Sequence, residues 1–291
     1  MMCILILALI WALSSYLYSL IATNPWLWFL WPILGLLTTV ILFAGFLYLI
    51  ALPTIKRMNP NNKLKIFYTI HIIKMVNFIS GAKVKVEGIE NLTKETKVLY
   101  VANHKSMVDP CLIYQALKTK GPTAASKSEL WNIKPLIPFL DAFRIIKINR
   151  GSDREAAKSI VEGIKYIKDG NGVIIFPEGG IKTREVEQMV SIKPGAYKLA
   201  VKSEAVIQPM VIIGSSKIAK RKFFSPFVNV TVRILPPLTY DDYKDLKVVV
   251  LDTIDEIFNM AEAEVIKMSN RKNPGKTATS INEAFSGFGA G

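Results

Sequence analysis

The first 55 residues contain no Asp, Glu, Lys or Arg, and the first acidic residue of the chain is Glu87. A charge-free apolar block of that length is far more than a small soluble core consumes. About 20 helical residues cross a bilayer core of about 30 Å. Residues 1–22 are almost wholly apolar, Thr23-Asn24-Pro25 interrupts them, and residues 26–52 are apolar again. Either half is long enough to span. The pattern predicts a membrane-embedded helical hairpin over residues 1–55 with its tip at Asn24-Pro25, crossing the bilayer or entering one leaflet. Trp26, Trp28 and Trp31 gather at the break, where an interfacial aromatic belt belongs. A cleaved signal peptide does not fit, because no basic segment precedes the apolar run and a second apolar run follows it.

Basic residues begin where the apolar block ends. Lys56-Arg57 is followed by a turn-rich Asn59-Pro60-Asn61-Asn62, then by Lys63, Lys65 and Lys74 among many apolar residues. Residues 56–80 thus read as a basic amphipathic helix lying on the membrane surface. The basic excess places this side of the cell membrane in the cytoplasm. The formal charge of +14 suits an anionic lipid surface, and no nucleic-acid partner is expected, since neither finger spacing nor an aromatic-basic recognition motif is present. His71 lies within the apolar helix, where packing is the ordinary role. Cys3 and Cys111 have no metal-ligand spacing and read as packing residues.

The soluble part starts near Gly81. Short apolar runs at 82–87, 98–102, 123–126, 145–148, 172–176, 206–213 and 228–235 alternate with helical patterns after Asp109, at 154–168 and at 196–202. Strands alternating with helices make an α/β domain, assigned to residues 81–269. In the 154–168 helix Ala157, Ile160, Val161, Ile164 and Ile167 are expected to form the core stripe. A further helical stripe runs from Leu251 to Met268. Residues 270–291 are polar and are expected to be a disordered tail.

Polar groups stand at the ends of these strands. Residues 98–102 read as a strand buried on both faces, followed by Asn103-His104 and, five residues after the histidine, Asp109-Pro110. A neutral imidazole accepts a hydroxyl proton near pH 7, and a carboxylate on its other nitrogen stabilises the imidazolium. Asp before Pro is equally a common way to cap a helix. Arg150 follows another strand. Glu178 follows a third, on a Pro-Glu-Gly-Gly turn where Gly179 lets the backbone approach a ligand. Lys193 precedes a helix start, which favours anions.

Asn103 to Asp109, NHKSMVD, resembles the NHxxxxD motif of the glycerolipid acyltransferase family. Ile146 to Arg150 is similar to that family's second block, Phe176-Pro177-Glu178-Gly179 to its FPEG block, and Lys193-Pro194-Gly195-Ala196 to the segment that follows. Residues 206–211, with Pro209, resemble the fourth block. The ordered set covers roughly residues 83–238. The resemblance implies a mixed sheet flanked by helices and an O-acyltransferase of phospholipid synthesis. The acyl chain would pass from acyl-CoA or acyl carrier protein to the sn-2 hydroxyl of 1-acylglycerol-3-phosphate. No metal and no cofactor are implied beyond the thioester co-substrate. His104 would be the general base and Asp109 its orienting partner. Arg150 would bind the acceptor phosphate, and Glu178 would position the glycerol. The family follows FPEG with Thr-Arg-Ser, whereas this chain has Gly180-Ile181 and a Thr-Arg pair later, at Thr183-Arg184. That shift makes Arg184 the candidate second phosphate contact. It keeps another lysophospholipid acceptor open. A non-catalytic membrane-binding protein is the reading from a different class.

Overall fold

The computed structural model describes residues 2–21, 30–60, 62–118, 121–148, 153–185, 187–189, 197–222 and 225–243. The expected hairpin tip, Arg150, Lys193, the 251–268 helix and the tail therefore lie outside the described residues.

Helix α1, Met2–Ile21, packs beside α2, Leu30–Gly45. Small and hydroxyl side chains line the contact. Ser14 Oγ donates to the Gly35 carbonyl at 3.2 Å, Tyr18 OH meets Thr38 Oγ1 at 2.8 Å, and Trp11 Nε1 donates to the Pro32 carbonyl. In a bilayer, where apolar burial gives no driving force between helices, such close backbone approach and polar bonding hold helices together. Helix α2 continues through a π-helical turn, Phe46–Ala51, into α3, Leu52–Arg57. Pro53 explains the turn: it has no N–H and its ring crowds the preceding turn, so the helix locally widens. Leu30–Arg57 is a continuous helix of 28 residues, long and apolar enough to cross a membrane. Its foot docks on the soluble part. Leu47, Leu52 and Ile55 bury against Ala142, Phe139 and Phe143, and Lys56 pairs with Asp141 at 2.7 Å.

Helix α4, Lys63–Ile79, is capped by Asn62, whose side chain accepts from the Leu64 and Lys65 amides. Lys65, Thr69, Ile73 and Asn77 are buried at a spacing of four. This stripe faces the α/β unit: Asn77 Nδ2 donates to Gln115 Oε1 at 2.7 Å and to the Cys111 carbonyl at 3.2 Å. Burial lowers the Lys65 ammonium to about 8, helped by the nearby Arg144 charge. The helix expected on the membrane surface thus also packs on the domain, leaving Leu64, Phe67, Tyr68, Phe78 and Ile79 exposed.

The sheet has strands β1 Ala82–Glu87, β2 Val98–Ala102, β3 Thr123–Lys127, β4 Ile146–Ile148, β5 Gly172–Ile175, β6 Val206–Ile213 and β7 Val228–Ile234. Their order is β1-β7-β6-β2-β5-β3-β4. Every pairing is parallel except β6 with β7. The mixed α/β class is therefore as expected. Pro209 sits where β7 stops pairing with β6, so its missing N–H costs no ladder bond on that side, and its carbonyl accepts from Leu235.

Helices α5 Asp109–Leu117, α6 Ile137–Ala142, α7 Asp153–Lys168 and α8 Lys198–Ser203 complete the unit. Strand β2 is buried throughout, and its side chains alternate between two cores. Val98, Tyr100 and Ala102 meet Leu112, Ile113 and Ala116 of α5. Leu99 and Val101 meet Ile167 of α7 and Leu199 and Ala200 of α8. Each fully buried Leu or Ile contributes about 1.5–3 kcal/mol. The expected α7 stripe needs correction: Ala157 is exposed and Val161 is 64% exposed. The buried line is Ser159, Gly163 and Ile167, flanked by Ile160 and Ile164, because Leu199 packs so closely that a Cβ on Gly163 would meet it at 2.5 Å.

Candidate active site

Strand β2 ends on a loop that three buried polar groups hold in place. Asn103 is fully buried and acts as a clamp: its Oδ1 accepts from Ile212 N–H at 2.8 Å, and its Nδ2 donates to the carbonyls of Ile212 and Glu187. His104 follows. Its Nδ1 lies 3.0 Å from Asp109 Oδ2, and the carboxylate has no solvent exposure. The same oxygen accepts the backbone N–H of Lys105 at 2.7 Å and of Ser106 at 2.8 Å. The sequence offered Asp109 as partner of His104 or as a helix cap, and these bonds show where its carboxylate goes. Its carboxylate reaches back to the histidine loop, and it stands inside the first turn of α5, with Val108 at the cap position. It organises the loop and does not cap the helix.

The carboxylate partner also sets the imidazole tautomer. A neutral imidazole that donates from Nδ1 to Asp109 presents the Nε2 lone pair. The ring stacks on Phe176, centroids 4.2 Å apart and planes 18° apart. With 17% of the side chain exposed, one edge of the ring faces solvent.

Glu178 reaches this loop from the end of β5. It is fully buried, with Oε1 accepting the His104 backbone N–H at 2.8 Å and Oε2 meeting Lys105 Nζ at 3.0 Å. Both oxygens of its carboxylate are thereby bonded to the histidine loop. Gly179 and Gly180 turn the chain with φ of +68° and +140°, conformations that side chains resist. Arg184 is exposed four residues further on. Glu187 closes the other flank: its Oε1 accepts from Gly214 N–H at 3.0 Å and Ser216 Oγ at 3.2 Å. Burial raises its carboxyl above the usual range, and the Asp109 charge adds to the effect.

The structure brings together His104, Asp109, Glu178 and Gly179; Arg150 and Lys193 lie outside the described residues. Sequence reasoning passed over Asn103, Lys105 and Phe176, although all three lie within the recognised motifs. Glu187 had no sequence signal.

A model of the family described as Acyltransferase matches residues 83–213, from β1 to the end of β6. The chain is 31% identical over 196 residues to the 1-acyl-sn-glycerol-3-phosphate acyltransferase of Limnanthes douglasii, covering 65% of each chain. It is 30% identical over 208 residues to the probable 1-acyl-sn-glycerol-3-phosphate acyltransferase of Mycoplasma pneumoniae, covering 66% of this chain and 75% of that one. The match thus spans about two thirds to three quarters of these relatives. The solved 1-acyl-sn-glycerophosphate (LPA) acyltransferase PlsC of Thermotoga maritima shares the fold, with a TM-score of 0.59 at 20% identity over 77% of this chain and 92% of that one. Because the matched stretch contains both the His104 loop and the Glu178 turn that braces it, and a relative shares it at 30% identity over most of its own length, the chain belongs to the acyltransferase family.

Proposed function

We propose that the protein transfers an acyl chain from acyl-CoA or acyl carrier protein to the sn-2 hydroxyl of 1-acylglycerol-3-phosphate, giving phosphatidic acid. The observation that carries this reading is the dyad at the end of β2: Asp109 holds His104 Nδ1 at 3.0 Å and leaves Nε2 free to accept a proton. His104 Nε2 takes the proton of the acceptor hydroxyl as its oxygen attacks the thioester carbonyl. Asp109 stabilises the imidazolium that forms. The tetrahedral intermediate then collapses, the C–S bond breaks, and the imidazolium returns its proton to the departing sulfur. The residues do this with no acyl-enzyme and no resident metal or cofactor. Phe176 fixes the ring plane, and Lys105 and Glu178 fix the backbone beneath it.

Arg150 is assigned to the acceptor phosphate and Glu178 to positioning the glycerol, with Arg184 as second phosphate contact and Lys193 supporting. Two features support a membrane setting: the apolar helix Leu30–Arg57 and the basic residues that follow it. We assign the enzyme to the cell membrane, with the catalytic domain on the cytoplasmic face. The test is a lipid-product assay over a panel of lysophospholipids with both donor types. Phosphatidic acid formed preferentially from 1-acylglycerol-3-phosphate supports the reading; preference for another head group reassigns the acceptor.

A further inference from the structure

Two segments without acidic residues meet at one corner of the fold. No Asp or Glu precedes Glu87, and none occurs from Ala205 to Tyr240. The C-terminal end of α4 supplies Phe78 and Ile79, 54% and 63% exposed. The loop between β6 and β7 supplies Phe227, 47% exposed, whose ring lies 5.3 Å from that of Phe78. Lys217, Lys220 and Lys222 are exposed on the same loop. Arg221 ties the loop down: its guanidinium lies over Phe227, donates to the Ser225 carbonyl at 2.8 Å, and occupies the space beside Gly81 where a Cβ would be. Arg221 and Phe227 are therefore anchored at this corner, with Lys220 and Lys222 on either side of Arg221 in the chain.

Topology sets where this surface faces. Strand β7 runs antiparallel to β6, and β1 runs with β7. The starts of β1 and β7 thus lie at the same sheet edge as the ends of β2, β5 and β6. That edge carries His104 and Glu178, and Met107 of the histidine loop is 70% exposed there. Helix α4 has 17 residues, about 25 Å in length, and leads from the foot of the apolar helix to this corner.

We propose that this corner is a second membrane-docking surface, which holds the catalytic edge against an anionic bilayer. Clustered exposed Phe and Ile are the groups that enter the headgroup boundary, and Lys side chains beside them match anionic lipid. A bilayer fits better than a protein partner because the cations are uniform in sign and sit on long stems that reach headgroups of any arrangement. The apolar helix anchors the chain at one end of α4, and the corner presents the site to the lipid at the other.

The inference rests on the acceptor being a membrane lipid, and the experiment separates docking from turnover. An environment-sensitive fluorophore is placed at Ile79→Cys in the full chain carrying Cys3→Ser and Cys111→Ala. The protein is reconstituted in vesicles of phosphatidylcholine alone or with one third phosphatidylglycerol. A control label at Lys85→Cys, a position 73% exposed in the second half of β1, reports a surface away from the corner. The label at position 79 should shift to the blue in anionic vesicles, and the control should not. The triple variant Lys217→Glu, Lys220→Glu, Lys222→Glu should abolish the shift. It should lower turnover on anionic vesicles roughly tenfold or more while leaving turnover on detergent-dispersed acceptor unchanged. Salt near 1 M, where screening shortens to about 3 Å, should weaken the shift. An equally wet label in both vesicles, or a shift that survives charge reversal, overturns the proposal. Absent turnover in detergent together with a normal shift would overturn the enzymatic reading and leave the docking surface standing.

Discussion

The Lys105 ammonium and the Glu178 carboxylate meet at 3.0 Å with both side chains fully excluded from solvent. The other Glu178 oxygen takes the His104 backbone N–H at 2.8 Å, so this ion pair fixes the chain at the histidine itself. Burying two charges is costly, and breaking one partner leaves the other uncompensated.

Lys105→Met should therefore destabilise detergent-solubilised protein by roughly 3–5 kcal/mol in unfolding measurements. Lys105→Met with Glu178→Gln should recover most of that, because neither charge is then stranded. Activity should not recover fully, since the His104 loop loses its rigid brace. A single Lys105→Met variant as stable as the parent would show that the pair does not brace the loop.

His104→Ala should reduce thioester consumption by about 10²–10⁴-fold in a protein that still folds, the usual cost of losing a general base. Asp109→Asn is the sharper test. An amide there still accepts from the Lys105 and Ser106 amides through its oxygen, so the loop should persist. It no longer offers an anion to Nδ1, so the imidazolium loses its partner and turnover should fall strongly. Full activity of Asp109→Asn would mean that its role is confined to the loop bonds.

Much of this architecture was readable in the sequence, for definite reasons. The charge-free block and the continuous apolar run of β2 are local patterns, each set by what its own residues can tolerate next to water. For His104 and Asp109 the spacing of five left helix capping open, and the motif resemblance carried the pairing; the structure adds the bonds from Asp109 to the histidine loop. Partners far apart in the chain were not readable. Lys105 and Glu178 are separated by 73 residues, and Glu87 meets Arg233 at 2.6 Å across 146. Periodicity carries no information about such pairs, because sheet order brings them together. The α7 stripe was misjudged for a related reason: a glycine, silent in any hydrophobic pattern, marks the line where α8 comes closest.

Glu187 should give stability a distinctive pH dependence. Burial raises its carboxyl above 4.5, so the folded state binds the proton more tightly than the unfolded chain. Its favourable contribution is complete below pH 4.5 and is lost as pH rises through the raised value. Glu187→Gln keeps an oxygen for Gly214 and Ser216 and removes the titration. Unfolding midpoints of parent and variant, measured from pH 4 to 8, should diverge in favour of the variant as pH rises. Parallel curves would show that Glu187 titrates alike in both states.

The turn after Glu178 is the remaining question of specificity. Ile181 stands where the motif resemblance implies an arginine, and an apolar side chain cannot hold a phosphate. Gly179 and Gly180, at φ of +68° and +140°, carry the chain through a conformation that permits a longer excursion, and Arg184 emerges from it exposed. Arginine offers phosphate a two-pronged fork, whereas Lys182 offers only a point charge. Arg184→Ala should therefore raise the KM for 1-acylglycerol-3-phosphate well above any change in the donor KM, and Lys182→Ala should change little. Arg150→Ala should show the same selectivity or abolish turnover. Unchanged acceptor kinetics in Arg184→Ala, beside a crippled Arg150→Ala, would mean that the excursion is no phosphate clamp, and an acceptor with a different head group would then fit this site better.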